Sequence, residues 1–208
     1  MYTYVTGVIL VGGKSIRMGE NKALMKLGSK TVIERMVDIV RPLFSNIILI
    51  SNTPEEYKFL QLPVFEDVYK YRGPLAGIHS ALLHSKTEKN FIISCDIPLM
   101  SGEMINYLIT YKTGKPVTIC EAAGYTQPLA GVYNKSILSK AEKFLIDHEI
   151  ENSDKPENEK KKCRMHSFLD TIEVEMLHPE NLDFYSDDLF FNMNSPEDYE
   201  KILNTNWD

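Results

Sequence analysis

The feature that most constrains this chain is an unbroken apolar run that stops at paired glycines. It reads Val8-Ile9-Leu10-Val11-Gly12-Gly13, and Lys14-Ser15-Ile16-Arg17-Met18-Gly19-Glu20-Asn21-Lys22 follows. A short aliphatic run rich in β-branched residues and closed by a turn signal predicts a buried strand of a parallel sheet. The two glycines let the backbone approach a ligand closely and expose its N–H groups. Lys14, Arg17 and Lys22 suit a ligand that carries several negative charges. Together they read as a nucleoside triphosphate grip; the competing reading is a plain strand-to-helix turn with surface lysines. Two commoner phosphate loops are excluded by spacing. Gly19 is followed by Glu20-Asn21, not by the Gly-Lys-Ser/Thr triplet of a P-loop. The adjacency of Gly12 and Gly13 breaks the dinucleotide fingerprint.

Length and charge narrow the setting. A chain of 208 residues fits one domain over 1–208. Its 43% hydrophobic and 25% charged residues are those of a globular protein with a sizeable core. A net charge of −6 argues against sequence-blind nucleic-acid binding, which needs a basic surface, yet a local cluster of cations can still hold a small anionic substrate. Cys95, Cys120 and Cys163 are too few and too scattered for a disulfide framework or a zinc site. With no secretory or transmembrane pattern, the expectation is a cytoplasmic protein with reduced thiols and no membrane or nucleic-acid partner.

Strands and helices alternate along the chain. Strands are expected at 6–11, 47–51, 64–66, 91–95, 117–120 and 129–133. Helices are expected at 32–43, 75–85, 101–111 and 136–147, with a short one after Pro54. Thr31 and Glu34 form the first helix's capping box. In the second long helix, Leu75, Ile78, Leu82 and Leu83 are expected on the buried side. The alternation predicts a three-layer α/β/α sandwich with a mostly parallel sheet, whose ligands bind outside the carboxyl ends of the strands. Residues 149–162 break the rhythm with charge, Pro156 and Lys160-Lys161-Lys162, and are read as a flexible charged loop. A second reading makes them a flap whose basic end, Lys161, Lys162 and Arg164, closes over an anion.

Several residues are placed to do chemistry. Asp96, in Ser94-Cys95-Asp96-Ile97-Pro98, ends a buried strand and offers a fixed oxygen ligand for Mg²⁺, which takes one or two carboxylates and completes its shell with phosphates and water. The alternative is a carboxylate that caps the turn. Glu66-Asp67 ends another strand and could touch a ribose or base, or simply serve the turn. In Arg72-Gly73-Pro74-Leu75-Ala76-Gly77 a rigid turn starts a helix, with Pro74 at its first position. Backbone N–H groups there could face a base or phosphate. Asn192 and Asn194 precede a helix start at Ser195-Pro196 and could ligate metal, bond a substrate or satisfy the turn. The five histidines show no metal spacing and read as structural or surface residues. Ser94 and Cys95 lack a nucleophile elbow, which weakens any hydrolase reading.

Leu10-Val11-Gly12-Gly13, Arg17-Met18-Gly19, Lys22, Glu66-Asp67, Gly73-Pro74-Leu75-Ala76-Gly77, Cys95-Asp96-Ile97-Pro98 and Asn192-Met193-Asn194-Ser195-Pro196-Glu197 occur in one order. In this the chain resembles the molybdenum cofactor guanylyltransferases of the nucleotidyltransferase superfamily, over nearly its whole length. The resemblance implies a Rossmann-like α/β domain, GTP as nucleotide, Mg²⁺ as metal and the molybdenum-molybdopterin cofactor as second substrate. It implies molybdoenzymes and other cofactor-biosynthesis proteins as further partners. Leu10, Gly12, Gly13, Lys22, Asp67 and Asp96 match nucleotide positions, Ser51 or Asn52 matches a further contact, and Val11, Gly73 and Pro74 are candidate nucleotide contacts beside them. Asp96 matches the magnesium ligand, and Asn194 is a candidate beside it. Lys22, Asp96 and Arg17 are the candidate catalytic set. Arg17, Arg164, Asn192 and Asn194 are the candidates for the pterin side, where the 149–162 insertion also falls. Two positions depart from the pattern: Val11 stands where alanine is usual, and Asn21 stands where an aspartate commonly precedes the lysine. The rival expectations are a cytidylyl- or sugar-phosphate nucleotidyltransferase of the same superfamily, told apart by the bound nucleotide, and a non-catalytic cofactor-binding adaptor, which would not need both Lys22 and Asp96.

Overall fold

The opening apolar run becomes strand β1 (Tyr2–Leu10), whose last six residues are buried. Val8 and Leu10 enter one hydrophobic core and Val5 and Ile9 the other. A two-residue side-chain period therefore feeds both faces of a covered sheet. This computed structural model describes residues 1–12, 21–153, 163–205 and 207.

After β1 come a small antiparallel hairpin, β2 (Lys26–Leu27) and β3 (Lys30–Thr31), and helix α1 (Val32–Val40). Thr31 and Glu34 form the expected capping box. The chain continues through β4 (Phe44–Ile50), a 3₁₀ segment (Pro54–Leu60), β5 (Val64–Phe65), α2 (Pro74–His84), β6 (Lys89–Ser94) and α3 (Gly102–Thr110). The second half supplies β7 (Val117–Ala122), β8 (Tyr125–Asn134), α4 (Leu138–Asn152), α5 (Met165–Leu169), β9 (Val174–Leu177) and α6 (Pro196–Leu203).

The main sheet has seven strands in the order β5-β4-β1-β6-β8-β7-β9. Only β8 runs against the rest, pairing antiparallel with β6 and β7. The mostly parallel α/β sandwich is thus as expected. Helices α1 and α3 pack on one face around Met36, Val40, Ile105 and Leu108. On the other face α2, α4 and α5 pack around Leu75, Ile78, Leu145 and Phe168. Each such aliphatic or aromatic side chain gains about 1.5–3 kcal/mol from burial, so the two cores hold the sheet rigid beneath its loops. A third cluster, Leu27, Val32, Met193 and Ile202, fastens α6 to the hairpin and the start of α1.

Some boundaries and faces differ from the sequence reading. Leu83 is 44% exposed, because it lies well round the helix from Leu75, near the end of α2. Helix α4 runs on through Asn152 and takes in the start of the expected loop. Glu149 there is bonded by Arg72 at 2.8 Å. Of that loop, 154–162 lie outside the described residues. Among the described residues no helix is long and apolar enough to cross a membrane.

Candidate active site

Parallel register brings four strand ends into one row. Leu10 of β1 lies opposite Ile50 of β4 and Ser94 of β6, and Ile50 lies opposite Phe65 of β5. The pairing continues one step further: Val11 donates to Ile50 O (2.8 Å), Cys95 to Leu10 O (3.0 Å) and Ser51 to Phe65 O (2.8 Å). Gly12, Asn52, Asp67 and Asp96 therefore leave the sheet side by side, although 84 positions separate the first from the last. Among the described residues, no atom lies within 4 Å of where a Cβ at Gly12 would stand.

Lys22 and Asp96 meet at the centre of this edge. Lys22 Nζ donates to Asp96 Oδ2 at 3.0 Å, to Asn194 Oδ1 at 3.3 Å and to Met193 O at 3.5 Å. The pair is mostly buried, with side chains 14% and 15% exposed. Asp96 Oδ1 is buried too, yet has no hydrogen-bond partner among the described residues. A buried carboxylate oxygen left without a donor calls for a ligand. No cluster of three or more acidic, histidine or cysteine ligands occurs among the described residues. The site therefore fits a hard cation whose remaining ligands are phosphate oxygens and water.

The asparagines reach the site because Met193 is pulled inward. Its side chain is fully buried in the third cluster, and its N–H donates to Asp96 O at 2.8 Å. Alternation then turns Asn192 and Asn194 outward. Asp198 Oδ2 accepts from the N–H groups of Asn194 and Ser195, both at 3.0 Å, while Ser195 Oγ accepts from Asp198 N–H, a capping box at the head of α6. Burial opposes the charge on Asp198, but these bonds outweigh it and hold its carboxyl below the usual range.

Asp67 forms the other flank. Asn52 Nδ2 donates to Asp67 Oδ2 (2.8 Å), and Asp67 N–H donates to Asn52 Oδ1 (3.2 Å). Asp67 Oδ1 is buried without a partner among the described residues. Burial, only partly offset by the Asn52 bond, raises its pKa above the usual carboxylate value. Gly73 precedes α2 with φ +83°, in the left-handed region that favours glycine, and the carbonyl of Cys163 packs 3.2 Å from where a Cβ would stand.

Of the residues singled out from the sequence, Leu10, Val11, Gly12, Lys22, Asn52, Asp67, Asp96 and Asn194 gather on this edge. Ser51 is buried, its Oγ accepting from Thr53 N–H at 3.2 Å. Gly73 and Pro74 start α2 beside it. Gly13 and Arg17 lie outside the described residues. Asn192 lines a cleft of about 470 Å³ on the β8 side, with Ile97, Tyr125, Gln127, Asp187 and Asp188. Arg164 is exposed at the head of α5 and does not line that cleft. Sequence reasoning missed Met193 as a backbone ligand and missed the wall made by Tyr125 and Gln127. The apolar residue between two asparagines was the available signal for the first. Cys95 is buried, and that burial, then the neighbouring Asp96, pushes its thiol up to about 12.

A covered, mostly parallel sheet with a glycine corner, an ammonium and a half-satisfied carboxylate at the carboxyl ends of its strands suits a nucleotide-handling α/β enzyme. Comparison with known proteins narrows this. The profile of the MobA-like NTP transferase domain matches residues 7–159, and the chain belongs to that family. It is 39% identical, over 96% of its length and 95% of the relative's, to a protein of Carboxydothermus hydrogenoformans named as a probable molybdenum cofactor guanylyltransferase. A Clostridium perfringens protein of the same name is 36% identical over 95% of this chain and 96% of its own. Molybdopterin-guanine dinucleotide biosynthesis protein A from Archaeoglobus fulgidus superposes with a TM-score of 0.76, covering 95% of this chain and 96% of that one; at 23% identity that likeness speaks to the fold.

Proposed function

We propose that the protein transfers GMP from GTP to the terminal phosphate of the molybdenum-molybdopterin cofactor, giving the molybdopterin guanine dinucleotide cofactor and pyrophosphate. One observation carries the reading. Asp96, paired with Lys22, follows the end of β6, the strand between β1 at the glycine corner and β8, whose start lines the cleft that holds Asn192. A phosphate oxygen of the pterin substrate attacks the α-phosphorus in line. The new P–O bond forms as the α–β bridge breaks, and pyrophosphate leaves with the bonding electrons. The attacking phosphate is already anionic, so no strong general base is needed, and catalysis reduces to alignment and charge neutralisation.

The backbone at Gly12 and Gly13 receives the phosphates, and Lys22 neutralises them. Asp67, held by Asn52, accepts N–H groups from the base or hydroxyls from the ribose. Gly73-Pro74 brings the head of α2 to the same flank. Arg17 is assigned to the leaving pyrophosphate or the pterin side, and Asn192 and Asn194 to the pterin side; Arg164, at the head of α5 and outside the cleft, is not assigned to it. Mg²⁺ would be held by Asp96 Oδ1 with Asn194 alongside, and when bound it supplies further charge neutralisation on the phosphates. The three cysteines are buried free thiols, which supports a reducing, cytoplasmic setting.

The test is to titrate GTP, CTP, UTP and ATP against the purified protein with Mg²⁺, then to follow pyrophosphate release with molybdopterin. GTP selectivity and pterin-dependent release are expected. Selectivity for CTP or UTP would move the activity to a sister branch, and binding without release would leave an adaptor.

A further inference from the structure

Asn21, the residue before Lys22, uses every bonding group of its side-chain amide. Its Oδ1 accepts from Ala23 N–H at 3.1 Å and so caps the 3₁₀ turn Lys22–Leu24 that carries Lys22. Its Nδ2 donates one hydrogen to Glu56 Oε2 at 2.6 Å and the other to Tyr57 OH at 2.7 Å. Glu56 and Tyr57 belong to the 3₁₀ segment between β4 and β5, and Tyr57 is 2% exposed, so its hydroxyl is a fixed point. The turn that aims Lys22 is thereby fastened, through one amide, to an element that packs beside the strand ends.

The chemistry at 21 is decided by the residue at 56. An aspartate at 21 has the same shape and could still cap Ala23. It has no hydrogen to donate to Glu56, and it would set two carboxylates at hydrogen-bond distance from each other. We infer that Asn21 is a positioning residue for Lys22, acting through Glu56 and Tyr57, and that this anchor tunes the grip on the nucleotide's phosphates. This rests on Lys22 being the phosphate-neutralising cation, as proposed above.

The experiment measures affinity for GTP and for guanosine in wild type, N21D, E56Q, N21D/E56Q, E56A and K22A, with thermal melting alongside. N21D is expected to weaken GTP binding at least about tenfold while leaving guanosine binding unchanged, since guanosine offers Lys22 no phosphate. In N21D/E56Q the amide introduced at position 56 can donate to the new carboxylate, and most of the loss should return. E56Q, which keeps an acceptor, should fall between wild type and N21D. GTP affinity equal to wild type in N21D, no recovery in the double variant, or equal losses of GTP and guanosine would each overturn the inference. If N21D does not fold, E56A decides the matter, because Glu56 is an exposed residue. Unchanged GTP affinity in E56A overturns the anchor. K22A separates the two levels. Wild-type GTP affinity in K22A removes the grip itself, whereas loss in K22A without loss in N21D removes only the anchor.

Discussion

Asp96 divides its two oxygens between two tasks. One accepts from Lys22 at 3.0 Å, and the other is buried without a donor among the described residues. Asp96→Asn keeps the shape and removes the charge, so pyrophosphate release should fall by about a hundredfold or more, and Lys22 loses the partner that offsets its own desolvation. A steady-state rate near wild type in that variant would sink the assignment. Asp67 gives a pH signature. Burial raises its folded pKa, so the stability linked to this group is full below the ordinary carboxylate range and is lost as pH rises through the raised value. Ligand binding has the opposite sense. An N–H donor needs the charged Oδ1, so GTP affinity should drop as pH falls through that same raised value. Asp67→Asn should bind GTP more weakly and flatten this acid limb, which a series of Kd measurements across pH would detect. The strand end by itself leaves Glu66 and Asp67 open, and only the resemblance points to Asp67. The structure separates them, because Glu66 turns to solvent and pairs with Lys70, while Asp67 turns in toward Asn52.

At the scale of elements, the loop that carries Asn194 depends on how α6 begins. Ser195→Ala removes a cap worth about 1 kcal/mol and should lower the melting temperature. Asp198→Ala should cost activity as well, because it releases the backbone of Asn194 next to Lys22. Asp198 has a lowered folded pKa, so its contribution is present above the ordinary carboxylate range and is lost as pH falls through the lowered value. Melting curves at several pH values should show the wild-type acid-side loss reduced in Asp198→Ala. Elements with strong local signals were legible in advance: β1 by its apolar run, α1 by Thr31 and Glu34, and α6 by Ser195-Pro196. Elements without such signals were not. The β2–β3 pair is two residues a side, and β9 is a four-residue edge strand of intermediate burial whose pairing is decided by β7.

For the molecule as a whole, the ligand joins parts that the fold holds only from below. The strand ends of β1, β4, β5 and β6 belong to one rigid sheet, but the groups above them come from separate loops. Binding should therefore stabilise the entire chain by linkage. GTP with Mg²⁺ at about 100 times its Kd should add roughly 2.7 kcal/mol to the unfolding free energy. A thermal shift should appear in wild type and shrink in Lys22→Ala; equal shifts in both would count against a grip at Lys22.

The sequence by itself determined the alternation of strands and helices, the buried character of β1 and the class of chemistry. Periodicity, caps and a glycine turn are local, and they act through backbone geometry and burial that neighbouring residues already specify. Only the tertiary structure decided which carboxylate oxygens are left without donors, that β8 runs against its neighbours, and that Met193 turns inward so that Asn194 reaches Lys22. Those outcomes depend on contacts between separate elements, up to the 172 positions between Lys22 and Asn194, and no local pattern encodes the packing that brings such residues within a hydrogen bond.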